Sequence, residues 1–198
     1  LSLDGHVVFR RGTTTACTNW KVVMEAFLDG YHVRHLHKRT VGPYFEDHQS
    51  FSEPAGPHVR AIVGRGGFRD AIESGAVDDI RDIATPTYVF FPNTVFVAQP
   101  GFVSRATAYP TGIDSIYWEH DLIIPEAPSD EKATAHWELN YELIQNGVFE
   151  GEDLWVCEQI QQGLGSGAND HFTYGGEEAP IEWWHAELDR RIAEMKTS

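Results

Sequence analysis

The sequence predicts an α+β domain in which one antiparallel sheet is covered by helices. Three observations lead there. Strand-like segments rich in β-branched and aromatic residues fill the middle of the chain, helical patterns stand before and after them, and no internal repeat or low-complexity segment interrupts the 198 residues. That length suits a single domain.

Residues 3–18, with "HVVFR", alternate weakly and read as strand and loop. "NWKVVMEAFLDGYH" reads as a helix, because Val22, Val23, Ala26, Phe27 and Gly30 lie near a 3.6-residue stripe. Residues 40–58 are spotted with proline and glycine and read as loop. "HVRAIVG" is a strand, and "FRDAIESGAVDDIRDIA" is short helix broken at Gly75. "TYVFFPNTVFVAQPG", "FVSRATAYPTG" and "DSIYWEHDLIIP" form an antiparallel meander, separated by Pro-Asn, Pro-Gly and Pro-Thr-Gly turns. "SDEKATAHWELNYELIQNGVF" opens a helix with Ser129 as N-cap, and Asp130 and Glu131 suit the positive end of its dipole. A second helix, "EDLWVCEQIQQGLGSG", stops at glycines, and "APIEWWHAELDRRIAEM" is the last, with Pro180 near its start.

Composition narrows the function. Hydrophobic residues make up 41% and aromatics 12%, enough for a sizeable core, and the formal net charge is −15. That charge argues against nucleic acid and anionic membrane surfaces as partners, with Arg34, Lys38 and Arg39 a local basic exception. No run approaches the roughly 20 apolar residues that span a bilayer. The two cysteines, Cys17 and Cys157, have no close companions. A reducing, cytoplasmic setting fits them, and an iron–sulfur cluster built from this chain alone does not.

Two places put polar groups where they need a reason. "MEAFLDGYHVRHLHKRT" holds His32, His35 and His37. Asp29 and His32 share a helix face, whereas His32 and His37, five apart, diverge on a regular helix unless it breaks between them. His32–His35 is as good a pair by spacing, and a solvated helix end is the plain alternative. The second place is Asp153, which heads the apolar helical face of Cys157, Ile160 and Leu164. A carboxylate there needs a cation or donors, or else Asp153 or Glu152 caps the helix. Two imidazoles and one carboxylate with open positions is the set used by non-haem Fe(II) oxygenases, although zinc hydrolases use the same ligand types.

"NWKVVMEAFLDGYHVRHLH" resembles the mononuclear-iron motif of Rieske-type non-haem iron oxygenase α subunits, the aromatic-ring-hydroxylating enzymes, through Asn19, Trp20, Lys21, Glu25, Phe27, Asp29, Tyr31, His32 and His37. Ala26 departs from the family's usual Asn at one outer hydrogen bond. "FEGEDLWVCEQIQQGL" resembles the distal motif, with Glu158 and Gln162 following Asp153, and "FFPN" the mid-sheet strand. The likeness runs from about Asn19 to Arg190. It implies a helix-grip (START/Bet v 1-like) fold and a mononuclear-iron catalytic domain over 1–198. It implies Fe(II) on His32, His37 and Asp153, with Asp29 hydrogen-bonding a ligand histidine and bridging to a neighbouring subunit's Rieske centre. His35 is then outer or surface. The family's N-terminal [2Fe–2S] domain is not in this sequence, and the start at Leu1 suggests its removal. The expected activity is O₂-dependent mono- or dioxygenation of an aromatic or other small organic substrate. Electrons would come from NAD(P)H through a reductase or ferredoxin, and the assembly would be a homotrimer or α3β3. Candidate pocket residues are Phe91, Phe102, Trp118 and Phe149, within a wider set of Phe90, Phe96 and Tyr109, with ordinary core as the alternative for each. Quaternary ammonium groups also suit such rings, and Arg34 or Arg105 could hold a substrate carboxylate. The rival readings are a non-catalytic helix-grip ligand carrier and a zinc-dependent hydrolase.

Overall fold

The computed structural model describes residues 1, 3–75 and 77–197. Seven antiparallel strands form one sheet: β1 (Val7–Ala16), β2 (Phe45–Ala55), β3 (His58–Arg65), β4 (Ala84–Phe90), β5 (Thr94–Ala98), β6 (Val103–Pro110) and β7 (Ile116–Ile124). Their spatial order is β1-β7-β6-β5-β4-β3-β2, so β2 to β7 is one continuous meander and β1 returns to close against its last strand. Helices cover the sheet, which is the α+β architecture the sequence predicts. Among the described residues no helix is long and apolar enough to cross a membrane.

The main helical feature is one rod. Here α5 (Glu131–Glu142) runs through a π-helical stretch, Leu143–Leu154, directly into α6 (Trp155–Gly165). The two separate helices expected over 129–149 and 152–167 are therefore continuous. Gly147 and Gly151 do not stop the rod, because tertiary packing holds the segment helical on both sides. Asp130, not Ser129, caps α5: its Oδ1 accepts the Ala133 N–H at 2.7 Å. The rod contributes Ile144, Val148, Phe149, Leu154 and Cys157 to the main core. Against them pack Val22, Val23 and Met24 of α1 (Trp20–Ala26), the sheet residues Val95, Ala106, Ala108 and Trp118, and Ile181 and Trp184 of α7 (Ala179–Thr197).

Two further expectations change. Much of 40–58 is strand rather than loop, since Ser50–Ala55 pairs with His58–Val63 through a turn at Gly56, where φ is +65°. Pro54 is tolerated because β2 is an edge strand and its missing N–H costs no ladder bond. The helix expected over 19–32 is two pieces, α1 and α2 (Tyr31–Leu36), separated by a short break around Leu28–Gly30. Between β3 and β4 lie α3 (Phe68–Ser74) and α4 (Ile80–Ile83), parted after Gly75 as expected.

Candidate metal centre

Local bonds fix α1 first. Asn19 caps it by accepting the Lys21 N–H at 2.9 Å, and the preceding backbone is tied to α6. The Cys17 N–H donates to Glu158 Oε1 and the Asn19 N–H to Gln161 Oε1, each at 2.8 Å. Glu158 and Gln161 thus both fasten the start of α1 to α6. Asp29 then starts α2 by accepting the Tyr31 N–H at 2.7 Å.

His32 lies in the first turn of α2, and His37 sits just past its end at φ −84° and ψ 23°. The helix stops before the second histidine, so two residues that a regular helix would point apart converge, their ring centroids 5.2 Å apart. Asp153 reaches them from the π-helical stretch. Its Oδ1 is 3.2 Å from His37 Nε2 and 3.8 Å from His32 Nε2. One ligand atom from each of the three residues lies within 4.8 Å of the others.

Asp153 is 4% exposed and His37 3%, yet Asp153 Oδ1 has no hydrogen-bond partner. Asp153 is no N-cap; it stands in mid-rod, where the backbone N–H groups are committed. An uncompensated buried carboxylate costs several kcal/mol, so the site fits a cation placed between this oxygen and two imidazole nitrogens. Neutral imidazole and carboxylate suit a divalent first-row metal.

The outer contacts orient the imidazoles. His37 Nδ1 lies 2.7 Å from Glu152 Oε2, which also accepts the Thr40 hydroxyl at 2.6 Å. Donation from Nδ1 to the carboxylate leaves Nε2 as a lone pair facing Asp153. Burial pushes the His37 pKa down, but Asp153 and Glu152 outweigh it and hold it above the usual histidine value. Asp29 Oδ2 stands 3.7 Å from His32 Nδ1, beyond hydrogen-bond length, so the expected bond to a ligand histidine is a close electrostatic contact instead. Burial raises the Asp29 pKa, and His32 and backbone N–H groups bring it below the ordinary carboxylate value. His35 points away, exposed, with its nearest acid Asp47 at 4.0 Å.

His32, His37 and Asp153 line a cavity of about 90 Å³ whose walls include Phe27, Phe45, Val97, Ser104, Val148 and Phe149. Of the expected pocket residues, Phe149 is on this wall. The other three are not. Trp118 is fully buried, stacked on Phe27 behind the wall; Phe91 packs on Trp184 in the core; Phe102 lines a neighbouring groove beside Trp137. Each is apolar enough to have served either role, and the meander turned them elsewhere. Phe90 and Phe96 pack on each other and Tyr109 on Tyr117, all off the cavity wall. Glu152, Thr40, Phe27 and Phe45 escaped sequence reasoning as site residues. For Glu152 the signal was its adjacency to Asp153, which read only as a choice of helix cap.

Seven antiparallel strands around a helical rod, with a buried site on its π-helical segment, are the architecture of an oxygenase catalytic domain. Residues 6–194 match the family model for the ring hydroxylating alpha subunit (catalytic domain), and the chain belongs to that family. The family combines mononuclear iron with a Rieske [2Fe–2S] centre, as the resemblance implied. Choline monooxygenase, chloroplastic, of Arabidopsis thaliana is 27% identical over 186 residues, covering 93% of this chain and 42% of the relative. The carnitine monooxygenase oxygenase subunit of Acinetobacter pittii (strain PHEA-2) is 26% identical over 162 residues, covering 79% and 40%. The chain thus spans less than half the length of these curated relatives. A quaternary ammonium Rieske monooxygenase in complex with an inhibitor shares the fold with a TM-score of 0.72 at 16% identity, covering 94% of this chain and 50% of that one.

Proposed function

We propose that residues 1–198 form the mononuclear-iron catalytic domain of a Rieske-type monooxygenase that hydroxylates a small quaternary ammonium compound. His32, His37 and Asp153 would hold the Fe(II). The observation that carries the reading is the buried, unpartnered Asp153 Oδ1 facing two imidazole Nε2 atoms. Bound Fe(II) supplies reductive activation of O₂, so that one oxygen atom enters a C–H bond and the other leaves as water, using two electrons and two protons.

The chain's own residues do the rest. Glu152 and Thr40 hold His37 in one orientation, and the apolar walls exclude water. Asp153's charge would be spent on the metal, but Asp29 adds a further negative charge to a cavity lined, among the described residues, by no lysine or arginine, and the Phe27, Phe45 and Phe149 rings offer π faces. Both features favour an organic cation. The names of the choline and carnitine relatives support the same substrate class over the aromatic one expected from the sequence. Asp29 and His32 also line a groove on the other side, with His35, Cys157 and Ile160. Asp29 therefore stands between the cavity and the outside, where electrons from a neighbouring subunit's Rieske centre would enter. A reductase or ferredoxin drawing on NAD(P)H would supply them, in a homotrimer or α3β3 assembly.

Metal analysis of the purified protein tests the ligand set: about one iron per chain is expected, lost in His37→Ala and in Asp153→Ala. Incubation with ¹⁸O₂, reductant, and choline-type or arene substrates tests the chemistry, with label expected in the quaternary ammonium product. Retained zinc with O₂-independent hydrolysis would instead establish the hydrolase, and a metal-free protein the ligand carrier.

A further inference from the structure

Arginines in this chain are mostly answered by acids. Arg34 pairs with Asp47, and Arg105 with Glu119 and Asp121, so neither candidate from the sequence is free for a substrate carboxylate. Arg65, at the end of β3, differs. Three arginines are partly buried, Arg65, Arg81 and Arg105. Among the described residues Arg81 and Arg105 have carboxylate partners and Arg65 has none. That is unusual in a chain with 30 acidic and 15 basic residues.

Arg65 instead lies over the Tyr44 and Phe45 rings, 5.8 and 5.4 Å from their centroids. Its Nη1 donates to Gln99 Oε1 at 3.1 Å and Thr85 Oγ1 at 3.4 Å. Thr85 and Gln99 are walls of the metal cavity. Arg65 lines the adjoining groove of about 370 Å³, which shares Val41, Phe45, Gln99 and Ile144 with that cavity. Two hydrogen bonds thus link the metal cavity's wall to a cation that has no carboxylate partner among the described residues. Partial burial without a counter-charge is costly, and a bidentate carboxylate is the group a guanidinium answers best.

We propose that Arg65 is an anion subsite at the outer end of the metal cavity, and that the substrate is zwitterionic. Its quaternary ammonium head lies against the Phe27, Phe45 and Phe149 rings of the cavity, and its carboxylate rests on the Arg65 guanidinium. The head assignment rests on the function proposed above; the anion assignment rests on Arg65 alone.

The test is calorimetric titration of the intact, iron-loaded protein without reductant. The probes are trimethylammonio-carboxylates of two to four carbons, their methyl esters, choline, and a phenyl-carboxylate series. The wild type should bind the best acid about tenfold or more tighter than its ester. Arg65→Gln should bring acid and ester to the ester's affinity with iron content unchanged, and Arg65→Lys should keep part of the preference. Equal binding of acid and ester by the wild type overturns the subsite even if a variant fails to fold, as does an acid preference that survives Arg65→Gln. Binding by choline but by no carboxylate also overturns it while leaving the head assignment standing. Binding confined to the phenyl-carboxylates, lost in Arg65→Gln, upholds the subsite and overturns the quaternary ammonium reading.

Discussion

At the scale of single residues, one carboxylate decides how His37 faces the proposed metal. Glu152 accepts from Nδ1 and is itself held by Thr40. Glu152→Gln should therefore weaken iron binding about 10- to 100-fold without unfolding the protein, as read by competition with a chelator. The residues of the triad stood out as anomalies, histidines crowded at a helix end and an acid at the head of an apolar face, but it was the resemblance to the iron motif that singled them out as ligands over a solvated helix end and a helix cap. Spacing still left His35 level with His37, since nothing in the sequence shows that α2 ends at Leu36. Arg65 was illegible because its meaning is the absence of a partner, and only the fold reveals which arginines are paired. His120 offers a separate test. It is fully buried between Gln145 and Ser104, and burial pushes its pKa down to about 4, against smaller upward pulls from Gln145 and Asp121. Unfolded, it titrates near the ordinary value of about 6.5. Between those values the unfolded chain binds a proton that the native state refuses, so stability falls as pH drops from about 6.5 to 4, and above that window there is no effect. Guanidinium unfolding at pH 7 and pH 4.5 should show a decline smaller by about 2 kcal/mol in His120→Asn than in the wild type.

At the scale of elements, the rod and the turn after α2 set the site. The turn depends on Gly42, whose N–H donates to the His37 carbonyl at 2.8 Å. A Cβ on Gly42 would meet that same carbonyl oxygen at 2.7 Å and its carbon at 2.9 Å, and backbone does not yield as a side-chain tip does. Gly42→Ala should cost about 1–3 kcal/mol and lower iron retention, because relief of the clash moves His37. Gly147→Ala in the rod, whose Cβ finds only ordinary contacts at 3.7 Å, is the control and should match or exceed wild-type stability in denaturant. The strands of the meander were legible from their composition and turn residues. β2 was not, because its proline and polar residues are suited to an edge, and edge strands look like loops when read alone. The π-helical join was hidden too: glycines that end helices elsewhere are carried through here by packing on both sides.

At the scale of the whole molecule, residues 1–198 hold the proposed iron ligands, and the two cysteines bear on where electrons would come from. Cys17 is exposed and Cys157 buried, its thiol pushed up to about 12 by burial. Neither stands in the C-x-H or C-x-x-H pairing that supplies a Rieske cluster's two cysteines and two histidines, so residues 1–198 offer no evident [2Fe–2S] site. Iron-loaded residues 1–198 alone should consume no O₂ above background with NADH and a reductase, and an oxygen electrode checks this. The proposed ligands also come from distant parts of the chain: 115 positions in sequence separate His37 from Glu152, the neighbour of Asp153. An ion held between them fastens the end of α2 to the middle of the rod, and the unfolded chain has no such preformed site. Raising free Fe(II) to about 100 times its dissociation constant should stabilise the fold by roughly 2.7 kcal/mol. The matching rise in melting temperature should vanish in Asp153→Ala. Iron starvation would then do more than silence the chemistry: it would leave the polypeptide opening more often and exposed to proteases, so that metal supply also governs how long each copy survives.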